Sequence, residues 1–429
     1  MLHIFCATYK YKYFPSLYML YFKHQELVKK YHVSLKTVHN WIDGAKQGKI
    51  KLELCEQGNR TYVANNANNT VALERLVLQG KKYRNNRYHK VIHPTSEFYK
   101  IYSRRQILDI ITNLDVHGEI PRQYNYLQEG AHNWDNWVRR LIQENTPGIL
   151  RGTIELIRTN MLSIEQWLEG SKKVNIIDLG VGNAYPVKEL LGRLLELGVL
   201  HRYIAIDISQ EMLDVAHRNI EEWYGNAVPF EGYVRDFSYE HFDDLLVDDM
   251  LSSEAEETVN LVLLLGATPL NFRSSADIFK TVYGSMGSRD MVMYTDIPDT
   301  ESTRRQLDFH PNGTMSGRLS PSHKYILDLL NIDESLYDVE MGFNVAQRMR
   351  YIRIRFNTSL SIKFRFDGSE RRIDFEKGDT ILLLRVWHMT AREIISSFER
   401  AGFTLLQSSL TKDRRSLLTL CGVDLKPER

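Results

Sequence analysis

The chain has 429 residues, of which 43% are hydrophobic and 25% charged, and a net charge of +1. That length calls for two or three domains rather than one core, and the composition is globular, without the proline or glycine bias of a fibrous or disordered chain. Three widely spaced cysteines, Cys6, Cys55 and Cys421, exclude a disulfide framework and a cysteine metal cluster and fit a reducing cytoplasm. Lys10, Lys12 and Lys23 interrupt the apolar N-terminus before a signal-peptide core can form. The run Leu261–Leu265 is far short of the roughly 18 apolar residues a membrane span needs. A soluble cytoplasmic protein with no membrane contact is expected.

Charge is unevenly placed. Residues 1–110 hold 19 Lys and Arg against 7 Asp and Glu, a balance of +12, so the remainder carries −11. This is either a basic module that meets a polyanion or a solvated lysine-rich surface. Residues 24–44, HQELVKKYHVSLKTVHNWIDG, predict two short helices around a tight turn. Leu27, Val28 and Tyr31 share one face, Ser34 is a good N-cap, and Val38, Trp41 and Ile42 recur at helical spacing. Lys49–Val63 alternates around Gly58 as a two-stranded wing would. The segment resembles a winged helix-turn-helix, in which Lys36, Thr37, His39 and Asn40 would be exposed toward DNA; a helical hairpin that docks on protein fits the same pattern. Asn65–Asn69 reads as a turn or hinge, and the run Lys81–Lys90 interleaves tyrosines with cations as phosphate-contacting segments do.

From about residue 150, buried strands alternate with helices, which argues for a doubly wound, mainly parallel sheet. Strands are expected at Val174–Asp178, Tyr203–Asp207, Gly232–Val234, Leu261–Leu265 and Met291–Tyr294, with helices at Pro186–Leu197 and Ser209–Trp223. The turn DLGVGNAYP places Asp178, Gly180, Val181 and Gly182 between the first strand and its helix. Two glycines let the backbone approach a ligand, and amides at a helix N-terminus favour an anionic group. Asp207 ends the second strand, where a carboxylate accepts hydrogen bonds from ribose hydroxyls; Ile208 follows it. Asp236 and Phe237 end the third strand, suited to an adenine amino group and ring face. Gly266 opens the loop after the fourth. A nicotinamide or flavin site would want a third glycine where Tyr185 stands and an acid about 20 residues on. The pattern fits S-adenosylmethionine better.

The order of DLGVG, YIAIDIS, RDF and LGATPLN, together with YLQEGAHNW upstream, is similar to the histidine-specific S-adenosylmethionine-dependent methyltransferase family, from about Tyr126 to the C-terminus. The resemblance implies a Rossmann-like class I methyltransferase with an inserted substrate lobe, beside an N-terminal α+β winged helix-turn-helix-like domain. It gives Asn271 the substrate's amino-acid portion and Tyr126 a hydroxyl contact to the accepting amine. The expected organisation is a basic domain at 1–69, a basic connector at 70–120, a substrate lobe at 121–150 and 300–388, and the cofactor domain at 151–299 and 389–425. The family's Glu-x-Ser imidazole reader falls on Leu384 and Val386, its tyrosine-proline pair on Thr146 and Pro147, and a clamping tyrosine near Asp308 or Phe309. A buried polar group without its mate costs roughly 1–3 kcal/mol, so a less polar amino acid or amine than histidine is the expected acceptor. A DNA-binding regulator that senses the cofactor is the alternative. A nucleic-acid methyltransferase is disfavoured, because Ala267-Thr268-Pro269-Leu270 is not the motif used for base amines.

Overall fold

The computed structural model describes residues 21–57, 60–85, 89–247, 257–266, 268–307 and 318–423. Gly58, Asp308 and Phe309 lie outside them, as does the middle of the Lys81–Lys90 run. The chain divides into two units, residues 1–89 and 90–429.

In the first unit, β1 (Tyr21–Phe22), β2 (Leu54–Gln57) and β3 (Arg60–Ala64) form a sheet in the order β1-β3-β2. Helices His24–Tyr31 and Leu35–Lys46 precede β2, the second capped by Ser34, whose Oγ accepts from Thr37 N at 3.1 Å. Leu27, Val38, Trp41, Ile42 and Val63 build the core between them, while Lys36, His39 and Asn40 are exposed. The Asn65–Asn69 stretch is not a hinge. A helix Ala67–Asn85 begins there, and the buried Asn69 side chain accepts from Glu53 N and donates to Glu53 O and Ala64 O, tying helix to hairpin.

The second unit starts with β4 (Lys90–Ile92), and the helix Arg104–His117 follows. That helix lies in the span expected as a connector, but Ile107, Ile110, Ile111 and Leu114 put an apolar stripe into the lobe's core. Spacings of three and four residues are what a helix needs to bury one face. The strands β5 (Lys173–Leu179), β6 (Leu200–Asp207), β7 (Phe230–Val234), β8 (Thr258–Leu264) and β9 (Met291–Asp296) come next. Then β10 (Tyr337–Asn344), β11 (Met349–Phe356), β12 (Leu360–Phe366), β13 (Ser369–Phe375) and β14 (Thr380–Trp387) form the inserted lobe. Last come β15 (Thr404–Leu410) and β16 (Leu417–Gly422).

Seven strands pair as β15-β16-β9-β8-β5-β6-β7, parallel from β9 to β7, with β16 antiparallel to its neighbours. Every residue of β8 and β9 is buried, as strands covered by helices on both faces require. This is the Rossmann-like class I methyltransferase fold. Strand order reverses beside β5, so a crevice opens at the carboxyl ends of β5, β6 and β8. The lobe's sheets, β10-β11-β14 and β13-β12-β4, share a core with the Arg104–His117 helix.

Candidate active site

The turn after β5 is shaped by two glycines in the left-handed region, Gly180 at φ +72° and Gly182 at φ +54°. A Cβ on Gly180 would sit 3.4 Å from the Phe237 ring, and one on Gly182 would overlap Trp134 at 2.4 Å. Bare backbone is therefore what keeps the crevice open. Asn183 holds its cover: Nδ2 donates to Asp135 Oδ1 at 3.0 Å, and the Asn183 carbonyl accepts from Asn219 Nδ2 at 2.9 Å. Asp135 also receives Arg139 Nε at 2.8 Å. These bonds fix the helix Glu129–Gln143, and with it Trp134, against the turn. Tyr126 comes just before that helix, and its ring meets Trp134 edge-on with centroids 6.5 Å apart.

At the end of β6 the buried Asp207 carboxylate accepts from Ser209 N at 3.1 Å and weakly from Gly182 N at 3.5 Å. Burial pushes it up to about 6, against the pull of those backbone amides. Asp236 accepts from Ser238 N and Oγ and from Gln123 Nε2 at 3.5 Å; burial raises it as well. Arg122 Nε donates to Tyr126 Oη at 3.1 Å, and its Nη1 lies 2.6 Å from His323 Nε2. Burial, then the Arg122 charge, hold His323 down to about 3. Its ring is thus neutral and accepts at Nε2, with Nδ1 2.7 Å from Ser320 Oγ.

A cleft of about 640 Å³ gathers Tyr126, Gly180, Gly182, Asp207, Ile208, Asp236, Phe237 and Asn271. Three other expected positions are not in its wall. Asp178 is buried and accepts the Tyr203 hydroxyl at 2.6 Å, and burial raises it to about 7. Val181 packs into the core under the turn, leaving only its backbone for a ligand. Gly266, at φ +80°, donates its N–H to Thr295 Oγ1 at 3.0 Å and shapes the loop carrying Asn271. Sequence reading gave no role to Arg122, Gln123, Trp134, Met212, Arg235, Thr268 or Phe272, which also line the cleft. For Trp134 a signal existed: it closes the YLQEGAHNW segment, eight residues beyond Tyr126.

A second cavity of about 750 Å³ adjoins the first and shares Arg122, Gln123, Asn271 and Phe272 with it. Leu384 lines this cavity and Val386 does not. Thr146 and Pro147 are in neither wall; Pro147 borders a separate cavity with Arg151 and Arg415. His388 is buried against Phe343, and burial lowers it to about 4.

Residues 104–303 match the family described as histidine-specific methyltransferase, SAM-dependent. That segment, just under half of the chain, is what resembles the family. Its cofactor is S-adenosylmethionine. No curated protein matches the chain in sequence. Among solved structures, an S-adenosylmethionine-dependent methyltransferase from Clostridium acetobutylicum ATCC 824 is similar at 11% identity and a TM-score of 0.37, over 68% of this chain and 98% of that one. The CcbJ methyltransferase from Streptomyces caelestis is similar at 12% identity and a TM-score of 0.37, over 66% and 94%. Magnesium protoporphyrin IX methyltransferase (ChlM) from Synechocystis PCC 6803, with bound SAH, is similar at 12% and 0.35, over 70% and 97%.

The cleft fits that cofactor. Gly180 and Gly182 leave a cradle that a Cβ would fill, Asp207 offers a carboxylate for ribose hydroxyls, and Ile208, Met212 and Phe237 give an apolar wall for a base. Among the described residues, no group of three or more His, Cys, Asp or Glu could hold a metal ion, and no helix is long and apolar enough to cross a membrane.

Proposed function

We propose that this methyltransferase N-methylates an amino acid or related amine other than histidine. The carrying observation is the joining of two cavities at Asn271, with Tyr126 in the first and Leu384, where the family has an imidazole reader, in the second. When bound, S-adenosylmethionine supplies an electrophilic methyl group. Asp207 fixes the ribose end, and amides of the Gly180–Asn183 turn face the amino-acid end.

Acceleration then comes from position, with the nucleophile held at about 3–3.5 Å on the line of attack. Tyr126 Oη already receives Arg122 Nε–H. One lone pair and the hydroxyl proton remain to orient an amine, and the Asn271 amide sits at the shared wall to meet the acceptor's polar part. An ammonium must lose a proton before attack, to water or to a nearby carboxylate. Labelled S-adenosylmethionine incubated with amino acids, peptides, DNA and RNA tests the reading. Label in a free amino acid or amine is expected. Label in nucleic acid alone, or histidine as the preferred acceptor, overturns it.

A second reading concerns the first unit: a helix-turn-helix that meets DNA. Exposed Lys36, His39 and Asn40 on the Leu35–Lys46 helix favour it. Duplex DNA titrated into the full chain should bind with an affinity that falls steeply with salt. Salt-independent or absent binding would leave this unit a protein-docking module.

A further inference from the structure

We infer that the cavity beside the cofactor cleft is an acceptor subsite that reads an anionic group, a carboxylate or a phosphate, through Arg273 and Arg385. This rests on the methyltransferase reading above and departs from the expectation of a less polar acceptor.

The charge balance of the wall carries it. Glu119 is buried, and both its oxygens are taken: Oε1 by Arg273 Nη2 and Oε2 by Arg385 Nη2. Two cations therefore converge on one anion. Asp109, the other acid in the wall, has its oxygens held by neutral donors: Oδ2 accepts the Tyr124 hydroxyl at 2.9 Å and Oδ1 accepts Asn113 Nδ2 at 3.0 Å, and with Arg122 also in the wall three cations face two anions. A guanidinium has five N–H donors, and each of these two spends only one nitrogen on Glu119.

Arg385 is the sharper case, its side chain only 11% exposed. A guanidinium this little exposed, at a cavity wall, binds an anion more strongly than a fully exposed one does. The backbone fixes this arrangement before any ligand arrives. Leu382 N donates to Gly118 O at 2.8 Å and Ile120 N to Leu382 O at 3.0 Å, so Glu119 is bridged to the strand that carries Arg385. A cationic group such as an imidazolium would find Glu119 already neutralised twice over. An anion finds the excess positive charge and the spare donors, in the same cavity that Asn271 borders.

Calorimetry on the full chain loaded with S-adenosylhomocysteine tests this with paired probes: glutamate against glutamine, and phosphoserine against serine. At least one anionic probe should bind about tenfold more tightly than its neutral partner, as a charge-assisted hydrogen bond supplies; the two pairs tell carboxylate from phosphate. Arg385→Gln should erase that preference. Glu119→Gln should strengthen it several-fold, because both forks are released, a gain that a merely structural ion pair would not give. Equal affinities within both pairs, no binding of either anion at 10 mM (a ceiling of about −2.7 kcal/mol), or a folded Arg385→Gln that keeps the preference would overturn the proposal. If Arg385→Gln fails to fold, unchanged or weakened anion binding in Glu119→Gln overturns it instead. Failure of S-adenosylhomocysteine to bind would sink the methyltransferase reading, while the anion probes on unloaded protein still decide this one.

Discussion

The two adjoining cavities are made of different materials. The cofactor cleft is built from backbone: a turn with two left-handed glycines and the ends of β6 and β8, on strands whose register is set by buried sheet neighbours. The acceptor cavity is built from long side chains that meet from afar, Glu119 after one helix, Arg273 after the β8 loop and Arg385 on β14. A backbone-built site tolerates little change, because altering it means altering the sheet. A side-chain-built site can be respecified one residue at a time, which is how a cofactor half can persist while the acceptor half diverges.

Substitutions that break the backbone half should have the largest effects. Asp207→Ala removes a charged acceptor for two ribose hydroxyls and should weaken S-adenosylmethionine binding by about 100-fold or more, with the far-ultraviolet dichroism unchanged. Unchanged affinity by calorimetry would take Asp207 out of the site. Gly182→Ala forces a Cβ into φ +54° and against Trp134. Left-handed strain of about 1–2 kcal/mol plus a displaced indole should weaken binding about 30-fold; a Trp134→Ala background should restore part of it.

Protonation gives a smaller, graded test. Asp207 is raised to about 6, so it is ionised above that pH and neutral below it. Only the ionised form is a full acceptor, so affinity should be flat at neutral pH and fall by about tenfold per unit below about pH 6. Asp207→Asn should flatten the profile. Tyr126→Phe touches orientation rather than binding. It should lower kcat about fivefold, the share of one hydrogen bond, with cofactor affinity unchanged. A lost cofactor affinity would show that Tyr126 supports the cleft rather than the amine.

Sequence legibility follows the same division. Strands β5 to β9, the glycine turn, Asp207 and Phe237 are local signals, each readable from a run of a few residues, and Gly180, Gly182, Asp207 and Phe237 line one cleft. Asp178 stands in the same motif, yet the buried Tyr203 hydroxyl claims it, a partner 25 residues away that no spacing rule identifies. Arg122 and the Glu119–Arg385 pair were illegible for the same reason: their roles come from contacts between distant segments. The Arg104–His117 helix was legible as a helix from its isoleucines, but charge counting drew it into a basic connector.

The smallest expected effect concerns β14, where the comparison is most easily misread. Ungapped reading puts the family's imidazole-reading pair on Leu384 and Val386. Pairing with β11 runs Ile352 to Leu384 and then Arg353 to Leu382, so Leu383 is an extra residue and the strand's alternation shifts there. A bulge of this kind re-aims the stretch beyond it as a whole, while 384 and 386, which both follow it, keep their alternation to each other. Val386 falls outside the cavity wall, while Arg385 enters it and grips Glu119. Leu384→Glu with Val386→Ser should therefore leave histidine methylation within about twofold of its starting rate, because the new carboxylate lacks its hydroxyl partner in the wall. A tenfold gain in label transferred to histidine would mean that position 386 reads the acceptor despite lying outside the cavity wall.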